Sequence, residues 1–342
     1  MKKIIFSICL AALAVGCTKT EVNYTEPDQI AFAPVAQMNT KAAIETAAFE
    51  TTQDLYVFAN AGLDLSTDEN TTVELGECTE AYLRNAKFTR GSATDAYTGA
   101  YYWPNVKSLS FAGYIDAGNV ATKTTDGKFR TSINDDLTQI TVSDYVQPDT
   151  GNNDLMYFFT DRTYSKASAS TEVVAPVMKH ACSWLVFNFY GTTVTSGWKI
   201  HELKVLDIAK SGTATITASS VAWTEGATDQ VYQVYAYNAT GTTLSTSAAS
   251  FTNEKNIIVI PQLPTELYIK YSYVSQAGTT IVEETTVPLA FNGEAEWAAG
   301  YKYTYDVTVT ATAIEIKPTA NTWVDYDYDS ATGGNQPIPG TI

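Results

Sequence analysis

Tyr301-Lys302-Tyr303-Thr304-Tyr305-Asp306-Val307-Thr308-Val309 is the stretch whose reading decides the fold. Its tyrosines and valines fall on one parity, and Lys302, Thr304, Asp306 and Thr308 fall on the other. Side chains of an extended strand point alternately to opposite faces, so this segment presents one apolar and one polar face with a period of two. A helix, repeating every ~3.6 residues, would scatter both sets around its circumference.

The same alternation recurs outward from this stretch in both directions. In the first half it is clearest at Leu55-Tyr56-Val57-Phe58, Leu109-Ser110-Phe111-Ala112-Gly113-Tyr114, Gln139-Ile140-Thr141-Val142 and Leu155-Met156-Tyr157-Phe158-Phe159. The second half adds residues 184–190, Leu203-Lys204-Val205-Leu206, Val231-Tyr232-Gln233-Val234-Tyr235-Ala236-Tyr237, residues 257–260 and residues 267–274. Gly, Asn, Asp and Thr turns separate these runs, and convincing helical periodicity is missing. The expected class is all-β. Half-apolar antiparallel sheets must bury one face against another, as a sandwich or a closed barrel. With no βαβ pattern, a parallel sheet is not expected.

The N-terminus reads differently. Lys2 and Lys3 precede an almost unbroken apolar run over residues 4–15, closed by Leu13-Ala14-Val15-Gly16-Cys17. A positive start, a short apolar stretch and a small-residue cut site describe an export signal, too short to span a membrane. The closing five residues resemble the bacterial lipoprotein box, which makes Cys17 the lipidated first residue of the exported chain. After the signal no apolar run approaches the ~18 residues of a spanning helix. Stable attachment then depends on several acyl chains, since one binds only marginally.

The full chain carries 21 basic and 37 acidic residues; without residues 1–16 the basic count is 19 and the net charge −18. That charge disfavours nucleic acid and anionic membrane surfaces as direct partners, because both require clustered Lys and Arg. About 325 residues beyond the signal exceed what one core serves, so two domains are expected. The small, polar stretch over residues 163–176 has linker-like composition and places the junction near residue 175. The resulting division is a signal at 1–16, a leader at 17–41, domains at 42–175 and 176–329, and a loose tail at 330–342 with three Gly and two Pro in thirteen residues. Of the cysteines outside the signal and the lipid site, Cys78 and Cys182 are read as two buried thiols, with one bridge between them as the alternative.

Candidate chemistry is sparse. Only His180 and His201 are present. His180 lies two residues before Cys182, which allows a nucleophile with a nearby base, but the neighbours Ala181, Trp184 and Leu185 read as core, so a packed or turn histidine is the better assignment. His201 reads as a solvent-facing strand residue. Asp325-Tyr326-Asp327-Tyr328-Asp329 begins like an EF-hand loop, yet Ser330 stands where Gly is needed and Gln336 where Glu is needed; an edge strand with one charged face explains it better. Glu283-Glu284 and the pair Glu294, Glu296 could be glycosidase carboxylates only if their separation in space allowed it. No phosphate-binding Gly loop, CxxC pair or HExxH occurs. The chain is therefore expected not to be an enzyme and to need no cofactor or metal.

Five segments carry a resemblance when taken in order. The box at Cys17 is followed by Ile30-Ala31-Phe32 and Thr40-Lys41-Ala42. Next come Ala100-Tyr101-Tyr102-Trp103-Pro104-Asn105 running into Leu109-Ser110-Phe111-Ala112-Gly113-Tyr114, and then Asp154-Leu155-Met156-Tyr157. Met178-Lys179-His180-Ala181-Cys182-Ser183-Trp184-Leu185-Val186-Phe187 is the fourth, and Gly300 with the opening stretch, Ile314, Ile316 and Trp323 is the last. Together they resemble the fimbrillin family of Bacteroidetes, the subunits of type V pili. The resemblance implies two transthyretin-like antiparallel β-sandwich domains in tandem and a non-catalytic role in a surface fimbria. It implies a lipoprotein precursor at the outer membrane, lipidated at Cys17, from which an Arg- or Lys-specific protease removes an N-terminal segment. On this chain Lys41 is the candidate cut, where the best-known members carry Arg, and Ile30 and Phe32 lie on the removable strand. The implied partners are other pilin subunits joined by β-strand addition, with a host or bacterial adhesion ligand besides. With no long apolar strand after Trp323, a tip or accessory position stands beside that of a stalk subunit.

The rival reading is a lipid-anchored surface glycan-binding protein. Six Trp and 22 Tyr would suit sugar stacking, although most occupy strand-alternating positions where core packing is commoner. Three or more aromatic rings side by side on an exposed loop surface would favour this rival.

Overall fold

The computed structural model describes residues 29–33, 35–36, 53–63, 73–91, 96–104, 107–115, 121–122, 127–147, 154–165, 173–226, 234–247, 249–250, 257–289, 296–322, 327–329 and 334–336. Within these residues the regular structure is β, apart from one 3-10 turn at Leu75–Glu77. The first half contributes β1 (Gln29–Phe32), β2 (Val35–Ala36), β3 (Leu55–Leu63), β4 (Glu80–Phe88), β5 (Tyr97–Tyr102), β6 (Lys107–Ile115), β7 (Thr131–Ile133), β8 (Gln139–Val146) and β9 (Met156–Phe159). From β10 (Val177–His180) the chain continues through β11 (Ser183–Gly191), β12 (Lys199–Leu206), β13 (Ser211–Thr217), β14 (Val221–Glu225), β15 (Val234–Thr243), β16 (Ala249–Ser250) and β17 (Ile257–Val259). It ends with β18 (Glu266–Val274), β19 (Thr280–Pro288), β20 (Tyr301–Val309), β21 (Ile314–Thr322), β22 (Asp327–Asp329) and β23 (Gly334–Gln336).

The first half builds a six-stranded sheet in the order β2-β10-β9-β6-β3-β4, with the pair β1-β5 beside it. Ile30, Phe32, Val57, Phe88, Tyr97, Phe111 and Phe158 are among the side chains that form its core. The second half stacks β16-β11-β20-β21 against β15-β12-β18-β19, over a core that includes Phe189, Leu203, Ile269, Trp297 and Tyr305. On β20 the alternation follows the sequence: Tyr303, Tyr305, Val307 and Val309 are buried and the residues between them are half-buried.

Two features go beyond what local alternation encodes. The β11–β20 pair is parallel, in register from Trp184↔Lys302 to Gly191↔Val309. Parallel pairing needs only a long connection, and here strands β12 to β19 supply it. In addition, the sheet β14-β13-β8-β7 takes two strands from before residue 175 and two from after it. Its side chains join a third core, where Ile140, Val142 and Tyr145 meet Trp184, Ala214, Ile216 and Ile258. The stretch read as a linker also contains structure. Tyr164 exchanges backbone hydrogen bonds with Leu109 at 2.7 and 2.8 Å, and Val174 is fully buried. Within the tail, β23 pairs with β22 as a small antiparallel ribbon.

Candidate functional site

The residues that the family resemblance marked as removable, Ile30 and Phe32, lie on β1, with both side chains inside the core of the first half. Gln29-Ile30-Ala31-Phe32 alternates half-buried and buried positions, with Ile30 and Phe32 at 0% exposure. One edge of β1 pairs antiparallel with β5, through Gln29↔Tyr102, Ala31↔Thr98 and Phe32↔Tyr97, with a bulge between Gln29 and Ala31. The Gln29 side-chain amide also donates to the Gly99 carbonyl. On the other edge Val174 N–H donates to Ala31 O at 3.2 Å, and Ala33 N–H donates to Val174 O at 2.9 Å. The chain then runs on as β2, parallel to β10 through Val35↔Val177 and Ala36↔Met178.

The groove that receives β1 is aromatic. The Phe32 ring meets Phe88 edge-on at 5.0 Å and Phe111 edge-on at 5.2 Å, and tilts against Phe158 at 6.1 Å. These walls come from β4, β6 and β9, so strands distant in sequence converge on one side chain. Burying Ile30 and Phe32 contributes roughly 1.5–3 kcal/mol each, and each edge-to-face ring pair adds about 0.5–1.5 kcal/mol. Tyr97, opposite Phe32, is also fully buried. Burial pushes its phenol up, the Arg90 guanidinium 4.8 Å over its ring pulls the other way, and its hydroxyl has no hydrogen-bond partner among the described residues.

Other sequence candidates separate on inspection. Cys17 and Lys41 lie outside the described residues. Cys78 and Cys182 are free, buried thiols. Burial, reinforced by the nearby charge of Asp154, pushes Cys182 up to about 12, while its Sγ donates to Tyr145 Oη at 3.6 Å. A thiol held neutral in this way is no nucleophile. His180 instead places Nδ1 2.7 Å from Asp154 Oδ2 and is a packed, carboxylate-paired histidine. His201 departs from the solvent-facing expectation: it is half-buried with Nε2 2.7 Å from Ser272 Oγ. The bulge between Ile200 and Glu202 disturbs the alternation there, and Gly241 makes room, since a Cβ on it would lie 2.8 Å from the ring.

Glu283 accepts from Tyr271 and Tyr273, and Glu284 accepts from Lys270 at 2.8 Å, so both carboxylates are engaged locally. Glu296 is exposed, and Glu294 and Asp325 lie outside the described residues. Among the described residues no group of three or more His, Cys, Asp or Glu is placed to hold a metal. Sequence reasoning missed the roles of β5 and Val174 as walls of the groove. The parity of Tyr97, Gly99 and Tyr101, and the Val173-Val174 pair inside a polar stretch, were the available signals.

Fold and groove define a class: all-β proteins of stacked sheets in which the chain's own N-terminal strand is seated among strands from later in the sequence. The chain belongs to the fimbrillin-like family, whose model matches residues 40–323. Among solved structures, a fimbrial protein from Bacteroides vulgatus is similar with a TM-score of 0.57 at 16% identity, covering 86% of this chain and 99% of that one. A fimbrial assembly protein from Parabacteroides distasonis is similar with a TM-score of 0.40 at 11% identity, covering 86% and 98%. The C-terminally truncated tip fimbrial protein from Porphyromonas gingivalis gives 0.38 at 10% identity, covering 86% and 100%. No curated protein matches the chain in sequence. The family is one of fimbrial subunits, which points to a structural role at the cell surface.

Proposed function

We propose that this chain is a lipid-anchored fimbrial precursor that assembles by strand exchange once its leader is cut away. Export would end with acyl chains on Cys17 and attachment to the outer membrane. Cleavage after Lys41 would then release residues 17–41, which contain β1 and β2. The observation that carries this reading is the seating of β1: hydrogen-bonded on both edges, with Ile30 and Phe32 fully buried, in a segment that lies wholly before Lys41. Removing it leaves unpaired backbone on β5 and beside Val174, and an apolar slot lined by Phe88, Phe111 and Phe158. A strand from the next subunit, carrying alternate apolar side chains, would satisfy both. Stalk and tip positions both agree with this arrangement.

Limited digestion of the purified protein with a Lys-specific protease tests it. The expected outcome is one early cut near Lys41, loss of the leader, and ladders of oligomers. A cut product that stays monomeric overturns strand exchange. Cys17→Ala should move the protein out of the membrane fraction, and continued membrane attachment overturns the lipid assignment.

A further inference from the structure

The second half carries a ring cluster at the margin of its core, where Trp198 and Tyr271 pack against the buried side chains while part of each stays open, and strand exchange does not use it. Trp198 stands one residue before β12 and lies nearly parallel to two tyrosines of β18. Its centroid is 4.4 Å from Tyr273 with the planes 18° apart, and 5.7 Å from Tyr271 with the planes 5° apart. Tyr271 and Tyr273 share a face of the strand, so the three rings stand together as one slab. All three are half-buried. On the neighbouring strand Glu283 lies opposite Tyr271 and is exposed. Its carboxylate accepts a hydrogen bond from Tyr271 at 2.6 Å and another from Tyr273 at 3.0 Å. These bonds, the Tyr271 one foremost, hold its carboxyl below the usual carboxylate range and keep it an anion at neutral pH.

A slab that served packing alone would close its faces. Phe187 and Tyr305 do so in the adjacent core, stacked at 5.1 Å with 5% and 0% exposure. The Trp198 slab instead keeps part of every ring open beside a carboxylate with unused lone pairs. We propose that Trp198, Tyr271, Tyr273 and Glu283 form a binding site for a neutral saccharide. The C–H face of a pyranose matches the apolar ring surface, and its hydroxyls donate to the carboxylate; a few placed polar groups on an aromatic floor are the usual makeup of a small-ligand site. Sialylated, sulfated or uronic sugars are disfavoured by Glu283 and by a chain of formal charge −16. The site stands on the second half alone and does not depend on leader removal.

The test is an array of neutral and acidic oligosaccharides probed with the purified protein, followed by calorimetric titration with the best neutral binder. Neutral sugars should be retained and acidic ones not. Trp198→Ala should lower affinity by about tenfold or more, the loss of one stacked ring and its area. Because Trp198 is half-buried, Glu283→Gln and Tyr273→Phe serve as a second pair of variants on the open side, checked by unchanged melting; Glu283→Gln should weaken binding several-fold. Retention of no neutral sugar, preference for acidic ones, or full affinity in Glu283→Gln together with Tyr273→Phe overturns the proposal.

Discussion

Phe32 concentrates the argument at the scale of one residue. Its ring touches three phenylalanines from three strands, so truncation to Ala should cost about 3–5 kcal/mol, the usual range for a buried aromatic. The proposed function adds a condition that packing alone does not. In the uncut protein Phe32→Ala should lower the melting temperature; after cleavage near Lys41 and loss of the leader, variant and wild type should melt together. Scanning calorimetry of both forms checks this, and a difference that persists after cutting means the leader has not left. Cys182 supports a second prediction. Its thiol is pushed up to about 12 from 9.0 by burial, so at pH 8 its thiolate fraction is about a thousandfold below that of a free cysteine. Native protein should leave Cys182 unmodified by a thiol reagent until denaturant is added. The sign for stability follows: above pH 9 the unfolded chain gains by ionising while the folded thiol stays neutral, so this group costs stability progressively between about pH 9 and 12.

For the strand β1 as an element, the backbone matters as much as the side chains. Ala33 is exposed, yet its N–H donates to Val174 O at 2.9 Å. Ala33→Pro removes that donor without touching Ile30 or Phe32, and Phe32 already has the extended conformation a residue before Pro requires. The variant should lose about 1 kcal/mol in the uncut protein and speed hydrogen exchange at the Val174 amide. Unchanged exchange at Val174 would mean that this edge of β1 contributes nothing. Strands with strong alternation were legible in the sequence. Residues 301–309 are β20 throughout, and Leu109 to Tyr114, Leu203 to Leu206 and residues 267–274 fall inside β6, β12 and β18. Pro318 also agrees with its place, since among the described residues β21 pairs with β20 alone and forms a sheet edge. Less legible were β13 and β14. Ser211–Thr217 buries only Gly212, Ala214 and Ile216 between Thr and Ser residues, so it has the period of a strand without the apolar weight that announces one. The groove was half legible: Ile30 and Phe32 carried the alternation, but its walls come from four strands whose convergence depends on long-range pairing that local pattern does not encode.

Pairing across residue 175 decides how the whole molecule behaves. β8 and β13 are antiparallel neighbours, with Ile140↔Ile216 and Val142↔Ala214 in register, although they come from opposite sides of the proposed junction. Trp223 of β14 packs its ring 5.2 Å from Tyr145 and donates its indole N–H to Ala181 O at 2.7 Å. Tyr145 is fully buried, with Trp223 against its ring, Cys182 Sγ on its hydroxyl and Gly212 opposite it in register, all from beyond residue 175. Residues 42–175 produced alone would therefore expose Ile140, Val142 and Tyr145 together with an unpaired strand edge, a surface that favours aggregation. The fragment is expected to bind a hydrophobic dye and to lack cooperative melting, whereas the chain from residue 42 to the C-terminus, which restores β13 and β14 together with the partners of β11 and β12, should melt cooperatively. Calorimetry of the whole chain should correspondingly give one dominant transition, because the third core belongs to both halves. A fragment 42–175 that melts cooperatively without the residues beyond 175 would mean the shared sheet is an accessory contact, and the two halves would then be free to respond separately when the leader strand leaves.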